Sequence, residues 1–187
     1  MTYLSRVLRS GRSVLVAAAL APLLLSGCAN DKPIDQTAKP AAGGGAAPAT
    51  KPEAKADFQL ASIDGRQIGP KSFPGQVVVV DFWATWCMPC RLQAEILEPV
   101  YRDYKGRGVQ FLATNVGEEA DQVKKFLKAK PFPYPVLLDP KQATADKLGI
   151  VALPTLMVVD KKGEVAYFQS GIADGDTLRE ILKKAGA

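Results

Sequence analysis

The sequence predicts an α/β domain, a sheet with helices on both of its faces. Three observations carry that prediction. The runs QVVVVDFWA (76–84) and VQFLATNV (109–116) are apolar and rich in β-branched residues, which is the pattern of strands buried on both faces. Between them Leu92, Ile96, Leu97, Val100, Tyr101 and Tyr104 recur at helical spacing. Further on, TLMVVD (155–160) and EVAYFQSG (164–171) flank the turn Lys161-Lys162-Gly163 and read as a hairpin.

The elements follow in order. DFQLASIDGRQI alternates and turns at Asp64-Gly65, a hairpin signal. After the first long strand, a helix runs from Pro89 to about Tyr104 and ends at Gly106 and Gly108. Pro99 inside it should kink the helix or shift its start. GEEADQVKKFLKA (117–129) is a second helix, with acids in its first turn and lysines in its last, matching the helix dipole. YPVLLD (134–139) is a short strand and KQATADKLGI (141–150) a short helix. Asp174 caps or precedes a last helix, DTLREILKKAG, that ends at Gly186.

Composition bounds the function. The chain has 187 residues and 47% hydrophobic residues, enough for one ordinary core plus extra segments. Its formal charge is +5, of which Arg6, Arg9 and Arg12 supply three, so the remainder carries +2 and gives no case for a nucleic-acid partner. Histidine is absent, which excludes Ser-His and Cys-His catalysis and every His-containing metal site. With three cysteines, a four-thiolate zinc site cannot form within one chain. The residues call for no cofactor and no metal.

Residues 1–28 run from a basic start (Arg6, Arg9, Arg12) through an apolar stretch, about Val14 to Leu25, to Ser26, Gly27 and Cys28. This is the order of a secretory signal, and the apolar run is too short to span a bilayer, which takes about 20 residues. LLSGC resembles the lipobox of bacterial lipoproteins, which implies that residues 1–27 are a signal peptide and that Cys28 is lipidated and begins the mature chain. The other reading is an ordinary cleaved signal or an uncleaved anchor with an incidental cysteine. Residues 28–56 are rich in Ala, Pro, Gly and Lys, with Ile34 their one large apolar side chain, so they cannot bury enough surface to fold. As a flexible tether they reach roughly 30 Å, from about 5–6 Å × √n. The folded domain is expected over 57–187.

The chemistry lies in WATWCMPCR (83–91). Cys87 and Cys90 raise three readings: a metal clip, a structural disulfide or a redox pair. A clip lacks further ligands, and a disulfide closing so small a loop removes little chain entropy. Redox work fits the placement. A strand feeds directly into the motif and a helix follows, so Cys87 sits at a helix N-terminus, where the dipole and free N–H groups favour a thiolate. Pro89 suits the first turn. Cys87 would attack a disulfide, and Cys90, within reach, would resolve the mixed disulfide. Asp81 is either a solvated or lysine-paired acid or, in the middle of an apolar strand, a buried proton acceptor for Cys90. Pro154 is either a strand-entry proline or a cis proline that leaves neighbouring backbone free to pair with an extended substrate.

DFWATWCMPC, LPTLMVVD and KKGEVAYFQSG together resemble the thioredoxin superfamily. NVGEEADQVKKFL and YPVLLD occupy the place of the extra helix and strand of membrane-anchored TlpA/ResA-like thioredoxins. The resemblance covers about 57–187. It implies a thioredoxin-like fold: a central mixed sheet with helices on both faces, an N-terminal hairpin extension and a helix-strand insertion. It implies Cys87 as nucleophile, Cys90 as resolving thiol, a Cys87–Cys90 disulfide, Trp86, Met88 and Pro89 flanking the site, and Pro154 as the facing cis proline. Asp81 matches the buried acid of cytoplasmic-type thioredoxins. Two positions depart: Gln93 stands where many ResA-like proteins have a tuning glutamate, and Glu95 where a helix-kinking proline is common. The implied activity is thiol:disulfide exchange outside the cytoplasm, in the periplasm or cell envelope. It would act on protein disulfides and thiols, with a membrane electron donor of the DsbD or CcdA kind. Met88-Pro89 resembles the reductase side of the superfamily. A disulfide donor is the alternative. A thiol peroxidase and a metallochaperone are weaker, since Thr85 stands two residues before Cys87 rather than three and the chain has three methionines.

Overall fold

A computed structural model describes residues 55–187. Its seven-stranded sheet has the order β2-β1-β5-β4-β3-β6-β7. The strands are β1 (Leu60–Ser62), β2 (Gln67–Ile68), β3 (Val77–Trp83), β4 (Val109–Val116), β5 (Val136–Asp139), β6 (Thr155–Val159) and β7 (Val165–Ser170). The helices are α1 (Met88–Tyr104), α2 (Ala120–Ala129), α3 (Ala143–Lys147) and α4 (Gly175–Ala185). β3, β4 and β5 run parallel, while β6, β7, β1 and β2 join antiparallel, so the sheet is mixed as the resemblance implies.

β3 is the centre, and every residue of it is buried. Val77, Val79 and Trp83 enter one core with Leu97 of α1, Val123 of α2, and Leu178 and Leu182 of α4. Val78, Val80 and Phe82 enter the opposite core with Phe58, Ile68, Ala145 of α3 and Leu148. That two-sided burial is why the sequence shows a continuous apolar run instead of an alternation. Packing begins at Ala56, the last residue of the compositional linker, which is 3% exposed.

Pro99 does not shift the start of α1, which spans Met88–Tyr104 with Pro99 inside it. α2 starts at Ala120, three residues later than the charge pattern suggests. Gly117 takes a left-handed φ of 78°, and Glu119, at the N-cap position, is still extended. A short 3-10 turn, Pro70–Ser72, has no counterpart in the periodicity. The signal segment, Cys28 and nearly all of the linker lie outside the described residues.

Candidate active site

The parallel strands end at one edge of the sheet, and four loops gather there. The register Phe82↔Thr155 sets Pro154 level with the end of β3 from which Cys87 follows. Trp83↔Asn115 brings the loop after β4 alongside, and Thr155↔Ser170 adds the loop after β7. An open α/β sheet builds its site at such an edge.

Cys87 is the N-cap of α1, and its sulfur accepts the Cys90 backbone N–H at 3.2 Å. Pro89 stands at the second helical position, where its missing N–H removes no helical bond. Cys87 and Cys90 are joined in a disulfide with their Cα atoms 5.3 Å apart. Both are nearly covered, at 3% and 2% exposure, whereas their neighbours Trp86 and Met88 stand out at 70% and 61%. The sulfurs are therefore reached through an apolar rim. Val151 and Ile172, from the two facing loops, are also exposed. Leu153–Pro154 is a cis peptide bond, and Thr155 Oγ1 donates to Ala152 O at 2.7 Å.

Asp81 is buried, at 1% exposure, and neither carboxyl oxygen has a hydrogen-bond partner. Its register neighbours are Ala113 and Leu156, which offer no side-chain donor. Burial alone pushes its carboxyl up to about 7. Asp81 is thus a buried acid rather than a solvated one, and among the described residues no lysine pairs with it. Its strand alternation sets it on the face of Val79 and Trp83, the face on which α1 and both cysteines pack. A cleft of about 290 Å³ opens beside Cys90 between Trp83, Arg91, Glu98, Phe126 and Tyr134. Trp83 Nε1 and Tyr134 Oη, both buried, have no protein partner there.

One residue escaped the sequence reading, and a second has contacts that the sequence did not show. Glu118, 4% exposed, gathers the loops. It accepts from the Thr85 backbone N–H at 2.7 Å, from the Thr85 hydroxyl, from Asn115 Nδ2 at 2.7 Å and from Gln122 Nε2. In sequence it looks like one more acid at a helix start. Gln93, a noted departure, is fully buried, and its side chain bonds both backbone groups of Ala173. Arg91 donates to Thr85 O at 3.1 Å and lies over the Phe126 ring. Among the described residues, no group of three acidic or cysteine side chains is placed to hold a metal.

A family model described as AhpC/TSA matches residues 52–168. The thiol-disulfide oxidoreductase ResA of Bacillus thuringiensis subsp. konkukian is 33% identical over 128 residues, 68% of this chain and 74% of the relative. ResA of Bacillus subtilis is 31% identical over 126 residues, 67% of this chain and 70% of the relative. A Chlorobium tepidum structure described as a DsbE thiol:disulfide interchange protein superposes with a TM-score of 0.66 at 31% identity, covering 72% of this chain and 96% of that one. StoA from Bacillus subtilis gives a TM-score of 0.59 at 27% identity, covering 70% and 98%.

Proposed function

The chain belongs to the AhpC/TSA family, among its ResA-like thiol-disulfide oxidoreductases of thioredoxin-like fold, and from that premise we propose that it reduces protein disulfides in the bacterial cell envelope. The observation that carries this reading is the Cys87–Cys90 pair on the N-terminal turn of α1, at the sheet edge where the cis proline and an apolar rim converge.

In the reduced protein the Cys87 thiolate, favoured by the helix dipole and the Cys90 N–H, attacks one sulfur of a partner's disulfide. A mixed disulfide forms and the partner's first thiolate leaves. Cys90 gives its proton to Asp81, whose raised pKa suits it to take a proton near neutral pH. The Cys90 thiolate then attacks Cys87 Sγ, closing the Cys87–Cys90 disulfide and releasing the partner's second thiolate. Two electrons have passed to the partner. Trp86 and Met88 dock the partner, and Pro154 presents backbone to an extended segment of it.

The oxidised protein, left with its Cys87–Cys90 disulfide, must be recharged, because the periplasm is kept oxidising. We assign that step to a membrane donor of the DsbD or CcdA kind. Lipid on Cys28, with the 28–56 tether, would keep the domain beside the membrane. Among the described residues no helix is long and apolar enough to cross a membrane. The disulfide-donor alternative uses the same site with reversed electron flow. A peroxidase finds less support, since the Thr85 hydroxyl is held by Glu118 and precedes Cys87 by two residues.

The test is the reduction potential of the domain, read by Trp83 and Trp86 fluorescence in a thiol buffer series. A value near about −270 mV supports the reductase, and one near about −120 mV overturns it in favour of a disulfide donor.

A further inference from the structure

We propose that Gln93 is a positioning residue that sets the affinity of this oxidoreductase for protein partners by clamping the β7–α4 turn to α1. The proposal rests on the exchange reading of Cys87 and Cys90 and deepens it.

Gln93 follows Cys90 by three residues, one turn along α1, and is completely buried. Its amide is used at both ends against one residue eighty positions away. Oε1 accepts the Ala173 backbone N–H at 2.7 Å, and Nε2 donates to the Ala173 carbonyl at 3.3 Å. The same turn is tied on its other side to the cis-proline segment. Gly171 N–H donates to Pro154 O at 2.8 Å, and the Thr155 and Ser170 hydroxyls share a bond of 2.8 Å. The turn is thus fixed between the helix that carries the cysteines and the loop that faces them.

Ile172 protrudes from this turn between the two clamped points, 41% exposed. Trp86, Met88 and Val151 are the other exposed apolar side chains of the loops and the α1 start gathered at this end of the sheet, and we assign this surface to a partner that reaches the covered sulfurs. A rim ordered before binding loses less conformational freedom when a partner docks, so the clamp acts on affinity. A small disulfide does not span the rim and gains nothing from it.

The clamp needs one donor and one acceptor on a single planar group. Glutamine supplies both at every pH. A glutamate at this position would accept from Ala173 N–H, but as a carboxylate it would also oppose the Ala173 carbonyl, and only its protonated form could donate there. The charged group next to Ala173 in the chain is Asp174, which is exposed and occupied in capping α4 through the Asp176 and Thr177 N–H groups. On the sheet face against which α1 packs the titratable group is Asp81, present in wild type and variant alike when they are compared at equal pH.

The full chain is assayed for insulin reduction with dithiothreitol as electron source, with oxidised glutathione as the small disulfide. Gln93→Ala is expected to raise KM for insulin about tenfold, as the loss of a buried hydrogen-bonded pair implies. Its kcat, its reduction potential and its rate with glutathione should hold, while hydrogen exchange at the Ala173 amide should quicken. Gln93→Glu should match the wild type at pH 5 and Gln93→Ala at pH 8. An unchanged KM with a shifted potential or kcat overturns the clamp and makes Gln93 a tuner of the cysteines. If Gln93→Ala does not fold, the pH contrast in Gln93→Glu decides, and a KM that tracks the wild type at both pH values overturns the clamp. A wild type with no insulin reduction beyond that of Cys87→Ser defeats the exchange reading itself, and the clamp with it.

Discussion

Asp81 is held in an apolar sheet with two unsatisfied carboxyl oxygens, and its folded pKa of about 7 lies above the ordinary aspartate value of 3.8. The native state therefore binds a proton between those values that the unfolded chain has already lost. The stabilisation is complete below the unfolded value and is lost as pH rises through the folded one, at about 1.4 kcal/mol per pH unit and about 4 kcal/mol in all. Asp81→Asn removes this dependence. Urea melts of the variant should be level from pH 4 to 8, and at pH 8 it should be more stable than the wild type by about 2–4 kcal/mol. If Asp81 also serves Cys90, the same variant resolves mixed disulfides more slowly, so stability and turnover move in opposite directions. A wild type whose stability is constant across this window would show that the carboxylate is solvated. The composition of the strand made burial expected. It could not show that β4 and β6 place Ala113 and Leu156 opposite, with nothing to pair.

At the scale of elements, the site depends on loops pinned by polar side chains. Glu118 satisfies the Thr85 N–H, the step that turns β3 into the cysteine motif, while also holding Asn115 and Gln122. Glu118→Ala strands these donors and should cost about 2–3 kcal/mol in chemical denaturation, since bonds to a charged acceptor are among the stronger ones. It should also slow exchange by freeing Thr85 and Trp86. A loss under about 0.5 kcal/mol, the size of an ordinary surface substitution, would mean the loop holds without it. These pins also mark where the sequence stopped being legible. β3, β4, α1 and the closing hairpin follow from local periodicity, and Cys87 at a helix start follows from strand and helix abutting the motif. Glu118 reaches Thr85 over thirty-three positions and Gln93 reaches Ala173 over eighty. No spacing rule encodes such pairs, because the sheet order brings them together. The helix begins at Ala120 rather than at 117 because Gly117 and Glu118 are held in the loop that precedes the N-cap position, Glu119.

At the scale of the whole molecule, the cysteines lie at one edge of the sheet, and the polypeptide enters the fold at Ala56 after a long stretch of linker composition. If Cys28 carries lipid, as proposed, a flexible coil of the length of residues 29–56 has an r.m.s. span of roughly 30 Å, which sets how far the domain typically stands from the membrane. Confinement raises the effective concentration of a donor in the same membrane toward the millimolar range without any new contact. Electron supply, rather than exchange chemistry, is then what the proposed anchor would serve. Cys28→Ala, exported in soluble form, should reduce a protein disulfide in vitro as fast as the lipidated chain does. In cells its Cys87–Cys90 pair should shift from mostly reduced to mostly oxidised, read by alkylation of free thiols and gel shift. The lipidated chain should lose its reduced fraction in the same way when the membrane donor is removed. A Cys28→Ala protein that stays reduced in cells would show that electrons arrive from a soluble source, and the domain would need no membrane to work.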